Sequence, residues 1–324
     1  MKRRQVFRFV CGTLAAAALS VRAGSRTPLV VWVSHADEES MAEYLKAFRA
    51  GMRDIGYSEG RNISIEAYSG GFSRPRTEQL AAEIIGRRPA VVVAQGYAIG
   101  AMFKQTKTIP IVCGASGDLV ESGLVASLAR PGGNVTGIQF QALELVGKRM
   151  QLMKELVPQL TRVAVIADPQ HSGERGERAA TQAAADRLGL RLDYFAATNP
   201  AELDAALATA RASGARAIVF FPDSVTYGRR ERIAAFGIAH RLPTISGWDA
   251  FAEAGLLMAY GPNVKAAWAR MAYFADGILK GRLPAQLPVE MPHVIQAVVN
   301  LRTAKAIGIA VPPSFLVRAD RVIE

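Results

Sequence analysis

The strongest constraint on how this chain folds is an alternation, made twice over, between short apolar β-rich runs and longer stretches whose apolar residues recur every three or four positions. In the first series, strands are expected at 30–33, around Ile63 and Ile65, and at 90–94, 109–113 and 135–138. Between them, Met41, Leu45, Phe48, Met52 and Ile55 mark a helix that stops before Gly56. Leu80 and Ile84 mark a second, a third begins near Ala98, and a fourth is expected over 119–128. The second series places strands at 162–167, 190–195, 215–221, 243–246 and 256–259, with helices at 174–188, 201–213 and 229–240. Strands separated by helices need crossover connections, which favour parallel sheets covered on both faces. With 324 residues the chain can fill two cores. The expected fold class is α/β, with two Rossmann-like parallel-sheet lobes.

The first residues point to export. Lys2, Arg3, Arg4 and Arg8 precede an apolar run from Phe9 to Val21 that closes on Val21-Arg22-Ala23, a small-residue cleavage site. That run is shorter than the roughly 20 residues a spanning helix requires. Cys11 lacks the small residues that precede a lipidated cysteine. Residues 1–23 are therefore expected to be a cleaved signal peptide and the mature protein to be periplasmic. Processing leaves Cys113 as the single cysteine, so no intramolecular disulfide can form, and its apolar strand suggests a buried thiol.

Processing also removes five basic residues and no acidic one, so the formal charge falls from +11 to +6. The remaining cations are scattered, and nucleic acid is not an expected partner. Enzyme signatures are absent. The segment Gly114-Ala115-Ser116-Gly117-Asp118 has aspartate where a nucleophile elbow needs its second glycine. G-x-G-x-x-G after the first strand, the P-loop and H-E-x-x-H are all missing, and His35, His171, His240 and His293 stand singly. No cofactor, metal or catalytic residue is expected.

Four segments carry a family resemblance: I-P-I-V-C-G-A-S-G-D-L-V-E-S-G-L-V-A-S-L-A-R-P-G-G-N-V-T-G at 109–137, G-Y-S-E-G-R-N at 56–62, A-Y-G-P-N at 259–263, and the tail from Val298. Together they resemble the extracytoplasmic solute-binding proteins of ABC importers, in the family that includes tryptophan- and tyrosine-binding receptors. The likeness runs from about Leu29 to the end. It implies the type I periplasmic-binding fold, with three hinge crossovers near Gln139, near Tyr260 and over 290–294. The lobes would then comprise 27–138 with 262–288, and 139–261 with 289–324.

In such an architecture a ligand lies at the carboxyl ends of the strands. The first lobe offers Ser34-His35, Gln95-Gly96-Tyr97 and the loop holding Ser116 and Asp118. Gly96 and the following helix start suit a carboxylate, although ordinary turn geometry also calls for glycine there. Relatives commonly read G-T-P at this loop, so Tyr97 departs from the pattern and either stacks on a ligand or fills part of the pocket. Ser116 is a possible donor to a carboxylate; Asp118 either accepts from a ligand ammonium or caps a helix. The second lobe offers Asp168, Asp223 and Asp249, together with Phe221 and Trp248 as apolar wall or as core. Asp168 stands where relatives usually carry asparagine before proline, which favours a cationic ligand group unless it serves as a helix cap.

The resemblance implies a monomeric receptor that closes over a small amino-acid-like ligand, an aromatic amino acid favoured, and docks on a cognate ABC permease in the inner membrane. Presentation of the ligand to a sensor protein, or an unrecognised periplasmic α/β enzyme, stand as alternatives.

Overall fold

The structure, a computed structural model, describes residues 27–140, 142–171 and 173–324; the expected signal peptide lies outside the described residues. The chain begins with β1 (Leu29–Ser34), α1 (Glu38–Asp54), β2 (Ser64–Ser69), α2 (Arg74–Gly86), β3 (Val91–Gln95), α3 (Tyr97–Gln105), β4 (Ile111–Ala115) and β5 (Val135–Gln139). These five strands form one sheet in the order β2-β1-β3-β4-β5, parallel throughout. Val30 to Val33 and Val91 to Ala94 are fully buried, as strands covered on both faces must be.

The second part comprises α4 (Ala142–Leu156), β6 (Arg162–Ala167), α5 (Glu174–Arg187), β7 (Arg191–Ala196), α6 (Pro200–Ala212), β8 (Ile218–Phe220), α7 (Ser224–Gly228), α8 (Arg230–Ala239), β9 (Thr244–Ser246), α9 (Asp249–Ala254) and β10 (Met258–Pro262). After α10 (Val264–Leu279), the chain ends in β11 (Ile295–Asn300), α11 (Leu301–Ile307), α12 (Pro313–Leu316) and β12 (Arg321–Ile323). The second sheet has seven strands, ordered β12-β11-β10-β9-β8-β6-β7, and only the β10/β11 pair is antiparallel.

Local chemistry explains the helix starts. Asp37 caps α1 by accepting from the Ser40 amide at 2.9 Å, with Glu38 and Glu39 in the first turn where the helix dipole favours anions. Asn263 caps α10 in the same way, its Oδ1 accepting from the Ala266 amide.

The chain passes between the two sheets three times: after β5, between β10 and α10, and after Glu290. Before the third passage Glu290 extends the edge of the first sheet. Its amide donates to the Gly137 carbonyl and its carbonyl accepts from the Gln139 amide, both at 2.9 Å. Helix α10 packs along α1 and across β3, β4 and β5. Trp268 on α10 meets Trp32 on β1 with centroids 4.9 Å apart. A methyl group on Gly51 would lie 2.3 Å from the Ala269 carbonyl oxygen, so glycine is what lets α1 and α10 approach.

One expected element is not a helix. Residues 119–123 form turns and 124–128 continue as bends and irregular chain. Asp118 Oδ1 takes the amides of Val120 and Glu121, which starts a single turn. Gly123, at φ +69°, then reverses the chain so that Leu124 and Val125 both donate back to the Leu119 carbonyl. Leu119 and Val125 are buried without helical periodicity behind them. Cys113 is fully buried and its thiol is pushed up to about 12 by that burial, in keeping with a packing role. Among the described residues, no helix is long and apolar enough to cross a membrane.

Candidate functional site

The carboxyl ends of β1, β3 and β4 face those of β6 and β8 across a cavity of about 260 Å³. Its apolar wall comes from the first lobe, chiefly Ile99, Phe103, Leu119 and Leu124. The second lobe contributes a polar wall of Asp168, Gln170, His171, Asp223 and Ser224, and the first lobe adds the polar groups of His35, Tyr97, Lys104 and Ser122. A smaller compartment of about 30 Å³ shares Gly96, His171 and Asp223 and runs back to Ser116, Trp248 and Trp268.

Gly96 precedes α3 at φ +61°, ψ −140°, a conformation essentially reserved for glycine, and no side chain caps the helix. The first turn of α3 borders the cavity at Gly96, Tyr97, Ile99 and Gly100, bringing the positive end of the helix dipole to its wall. A Cβ on Gly96 would come within 2.9 Å of Ser224 Oγ, which measures how tightly the lobes meet here. Tyr97 donates to Glu78 Oε1 at 2.5 Å, and the Arg74 guanidinium covers its ring at 4.4 Å. His35 Nδ1 lies 2.9 Å from Thr77 Oγ1; burial, helped by the nearby Arg74 charge, lowers this histidine to about 4 and keeps it neutral. Ser116 Oγ reaches across to the Pro222 carbonyl at 3.4 Å.

The opposing wall is acidic. Asp223 is held by two amides: its Oδ2 accepts from Asp168 and its Oδ1 from Thr226. Asp168 Oδ1 accepts from the Gln170 amide at 2.8 Å, while its Oδ2 has no partner among the described residues. Burial first, and the Asp223 charge second, raise Asp168 to about 6; burial likewise raises Asp223. His171 lies on the same turn, its amide donating to the Asp168 carbonyl at 3.1 Å. Its Nε2 is 3.0 Å from Glu177 Oε1. Behind it the fully buried Glu177 stands 3.9 Å from the buried Arg149, whose Nε donates to the Tyr260 carbonyl on β10.

Six of the ten residues singled out from sequence line these spaces: Gly96, Tyr97, Ser116, Asp168, Asp223 and Trp248. The other four lie elsewhere. Ser34 is fully buried and spends its hydroxyl on Gln95 Oε1 and the Ala36 amide. Asp118 caps its own turn. Phe221 points into the core of the second sheet, among Val165, Val219 and Ile245. Asp249 accepts from the backbone amides of Ala250 on α9 and Val264 at the start of α10. Sequence reading passed over His171, Glu177 and Arg149 as a group; the one signal for His171 was its place just past Asp168, in the loop after β6.

The lobes also touch outside the cavity. Tyr44 on α1 stacks on Tyr227 on α7 with centroids 4.3 Å apart, and the Tyr227 hydroxyl donates to Glu43 Oε2 at 2.9 Å. Arg229 pairs with Asp37 at 2.8 Å, Arg230 with Glu43 at 3.2 Å, and Arg175 with Glu121 at 2.6 Å. These contacts hold the two lobes against one another.

Two parallel-sheet lobes joined by three crossovers around a small interlobe cavity define a solute-binding receptor of the type I periplasmic-binding architecture. Residues 28–323 match the family model described as ABC transporter substrate binding protein, and the chain belongs to that family. It is 23% identical over 277 residues to a tyrosine-binding protein of Clostridioides difficile (strain R20291), covering 84% of this chain and 78% of that one. Among solved structures, the ABC domain from Streptococcus pneumonia in complex with L-Trp superposes with a TM-score of 0.82 at 21% identity, covering 92% of this chain and all of that one. The ligand-free, open CD0873 from Clostridium difficile gives 0.62 at 20% identity, covering 91% of this chain and 99% of that one.

Proposed function

We propose that this receptor binds an aromatic amino acid outside the cytoplasm and delivers it to an ABC permease. One observation carries the ligand class: an apolar slot opens opposite a carboxylate, that of Asp168, with one oxygen unpartnered among the described residues, inside a cavity sized for a metabolite. At about 260 Å³ the cavity falls just under the roughly 300–1,000 Å³ typical of drug-sized ligands. In this reading the ligand ring enters between α3 and the turns at 118–124, against Ile99, Phe103, Leu119 and Leu124. Its ammonium meets Asp168 Oδ2, with the Asp223 charge behind it. Its carboxylate sits at the start of α3, where the Gly96 backbone admits close approach.

Because these groups come from both lobes, the ligand favours the closed form over the open one, and that difference in affinity drives closure. The bodies that move would be 27–138 with 262–288, and 139–261 with 289–324. The greater likeness to the L-Trp complex than to the open receptor supports the reading of a closed state. The cationic, apolar N-terminal run supports export.

The test is thermal unfolding of refolded, ligand-stripped mature protein against the twenty amino acids and a panel of sugars. L-tryptophan or L-tyrosine at one hundred times its dissociation constant should stabilise the fold by about 2.7 kcal/mol. A sugar that stabilises while every amino acid fails would overturn the proposal.

A further inference from the structure

An α-amino acid presents its ammonium and carboxylate on one carbon, so a receptor that reads both needs an anion and a cation side by side. In the cavity, Asp168 and His171 fill those places three residues apart on one tight turn. His171 Nε2 is tied to Glu177, which fixes the ring, while Nδ1 has no partner among the described residues. The support behind the ring is unusually deep. Glu177 is fully buried, its Oε2 makes no hydrogen bond among the described residues, and besides His171 the buried Arg149 stands 3.9 Å from it. A carboxylate buried so completely favours a proton on the histidine it touches.

We propose that His171, held in place by Glu177 and Arg149, receives the ligand carboxylate from the second lobe, so that the receptor selects amino acids over the corresponding amines. This rests on the reading of the cavity as an amino-acid site. The start of α3 takes one carboxylate oxygen and His171 the other, which makes the carboxylate a bridge between the lobes.

The groups facing His171 set the sign of its pH response. Burial alone pulls the imidazole down; the hydrogen bond and charge of Glu177, with Asp223 and Asp168, outweigh it and hold the group above its ordinary value. From the first lobe, Arg74 acts on Asp168, His35 shares the cavity as a neutral ring, and the Lys104 ammonium also lines it, a charge that does not change over the pH range of the test. Protonated His171 attracts a carboxylate and repels an amine. As pH rises and the proton leaves, an amino acid therefore binds more weakly and an amine more tightly.

Calorimetric titration of the mature protein with L-tryptophan and tryptamine, from about pH 6.5 to about pH 8.5, tests this directly. The two affinities should move in opposite directions: that for L-tryptophan should fall by up to about tenfold per pH unit above the free histidine's pKa, and that for tryptamine should rise by up to about tenfold per pH unit as pH climbs toward that pKa from below. In His171→Gln both trends should flatten, and the preference for L-tryptophan at the lower pH should drop at least about tenfold, near the value of one charge-assisted hydrogen bond. Ligand-free thermal unfolding checks that the variant folds. Proton NMR of the His171 ring in the unmodified protein needs no variant fold, since L-tryptophan should raise its pKa and tryptamine lower it. Parallel pH trends, or equal losses for both ligands in His171→Gln, would overturn the assignment while leaving the amino-acid reading intact. If neither compound nor L-tyrosine and tyramine bind, the reading of the cavity and this inference fall together.

Discussion

Replacing Asp168 by asparagine should stabilise the empty receptor and cripple the loaded one. Asp168 is raised from 3.8 to about 6 by burial and by Asp223. The acid form is therefore favoured in the fold: its stabilising effect is complete below the unfolded value and is lost as pH rises through about 6. At neutral pH the ionised carboxylate is a burden of about 3 kcal/mol, at about 1.4 kcal/mol for each tenfold in ionisation. Asparagine keeps the Oδ1 acceptor for the Gln170 amide and removes the charge. The ligand-free unfolding midpoint of Asp168→Asn at pH 7 should rise by about 6 °C, and the gain should vanish near pH 4. Affinity for L-tryptophan should fall by about 2 kcal/mol or more, roughly thirtyfold, because the ligand ammonium loses its ionic partner. Differential scanning calorimetry and isothermal titration on the same preparations measure both. An unchanged or lower midpoint would refute the burial argument, and undiminished affinity would remove Asp168 from the ammonium site.

Three further perturbations probe other parts of the molecule. Gly96→Ala places a side chain in a conformation that disfavours it and against Ser224; ligand affinity should fall by at least about tenfold, equivalent to about 1.4 kcal/mol, with the larger part in the association rate. Arg229→Ala removes the pair with Asp37, so small-angle scattering of the ligand-free protein should shift toward a more extended form, and the difference from the parent protein should shrink in high salt. Arg149→Met strands Glu177 in the core and should cost about 3–5 kcal/mol in denaturant unfolding, most of it recovered when Glu177→Gln is added.

The layered α/β plan was legible because strands buried on both faces read as uninterrupted apolar runs such as Val30 to Val33, and helices such as α1 carry clean three- and four-residue spacing. The expected helix at 119–128 failed because its leucines and valines follow a sequence of turns, with Gly123 breaking any run. Short pieces such as α7 and β12 hold too few residues to show a period. At the site, strand ends pointed to the correct loops but not to which side chains face inward. Ser34 and Phe221 lie on strand-end segments yet turn to a neighbouring strand and to the core. Glu177 and Arg149 gather behind His171 only because α4 and α5 pack together, a contact no local pattern records.

The late arrival of α10 governs the order in which this chain can fold. Trp32, Phe48 and Met52 belong to the first lobe, but the helix that covers them begins at Val264, more than two hundred residues further on. Until that helix is available the first sheet keeps an open apolar face, and the contacts that close it are among the most distant in the chain. A growing polypeptide with this wiring stays largely unfolded until synthesis is almost finished. In the export proposed above, such postponement would be an advantage for a chain threaded unfolded through a membrane, since a first lobe that closed early would block its own passage.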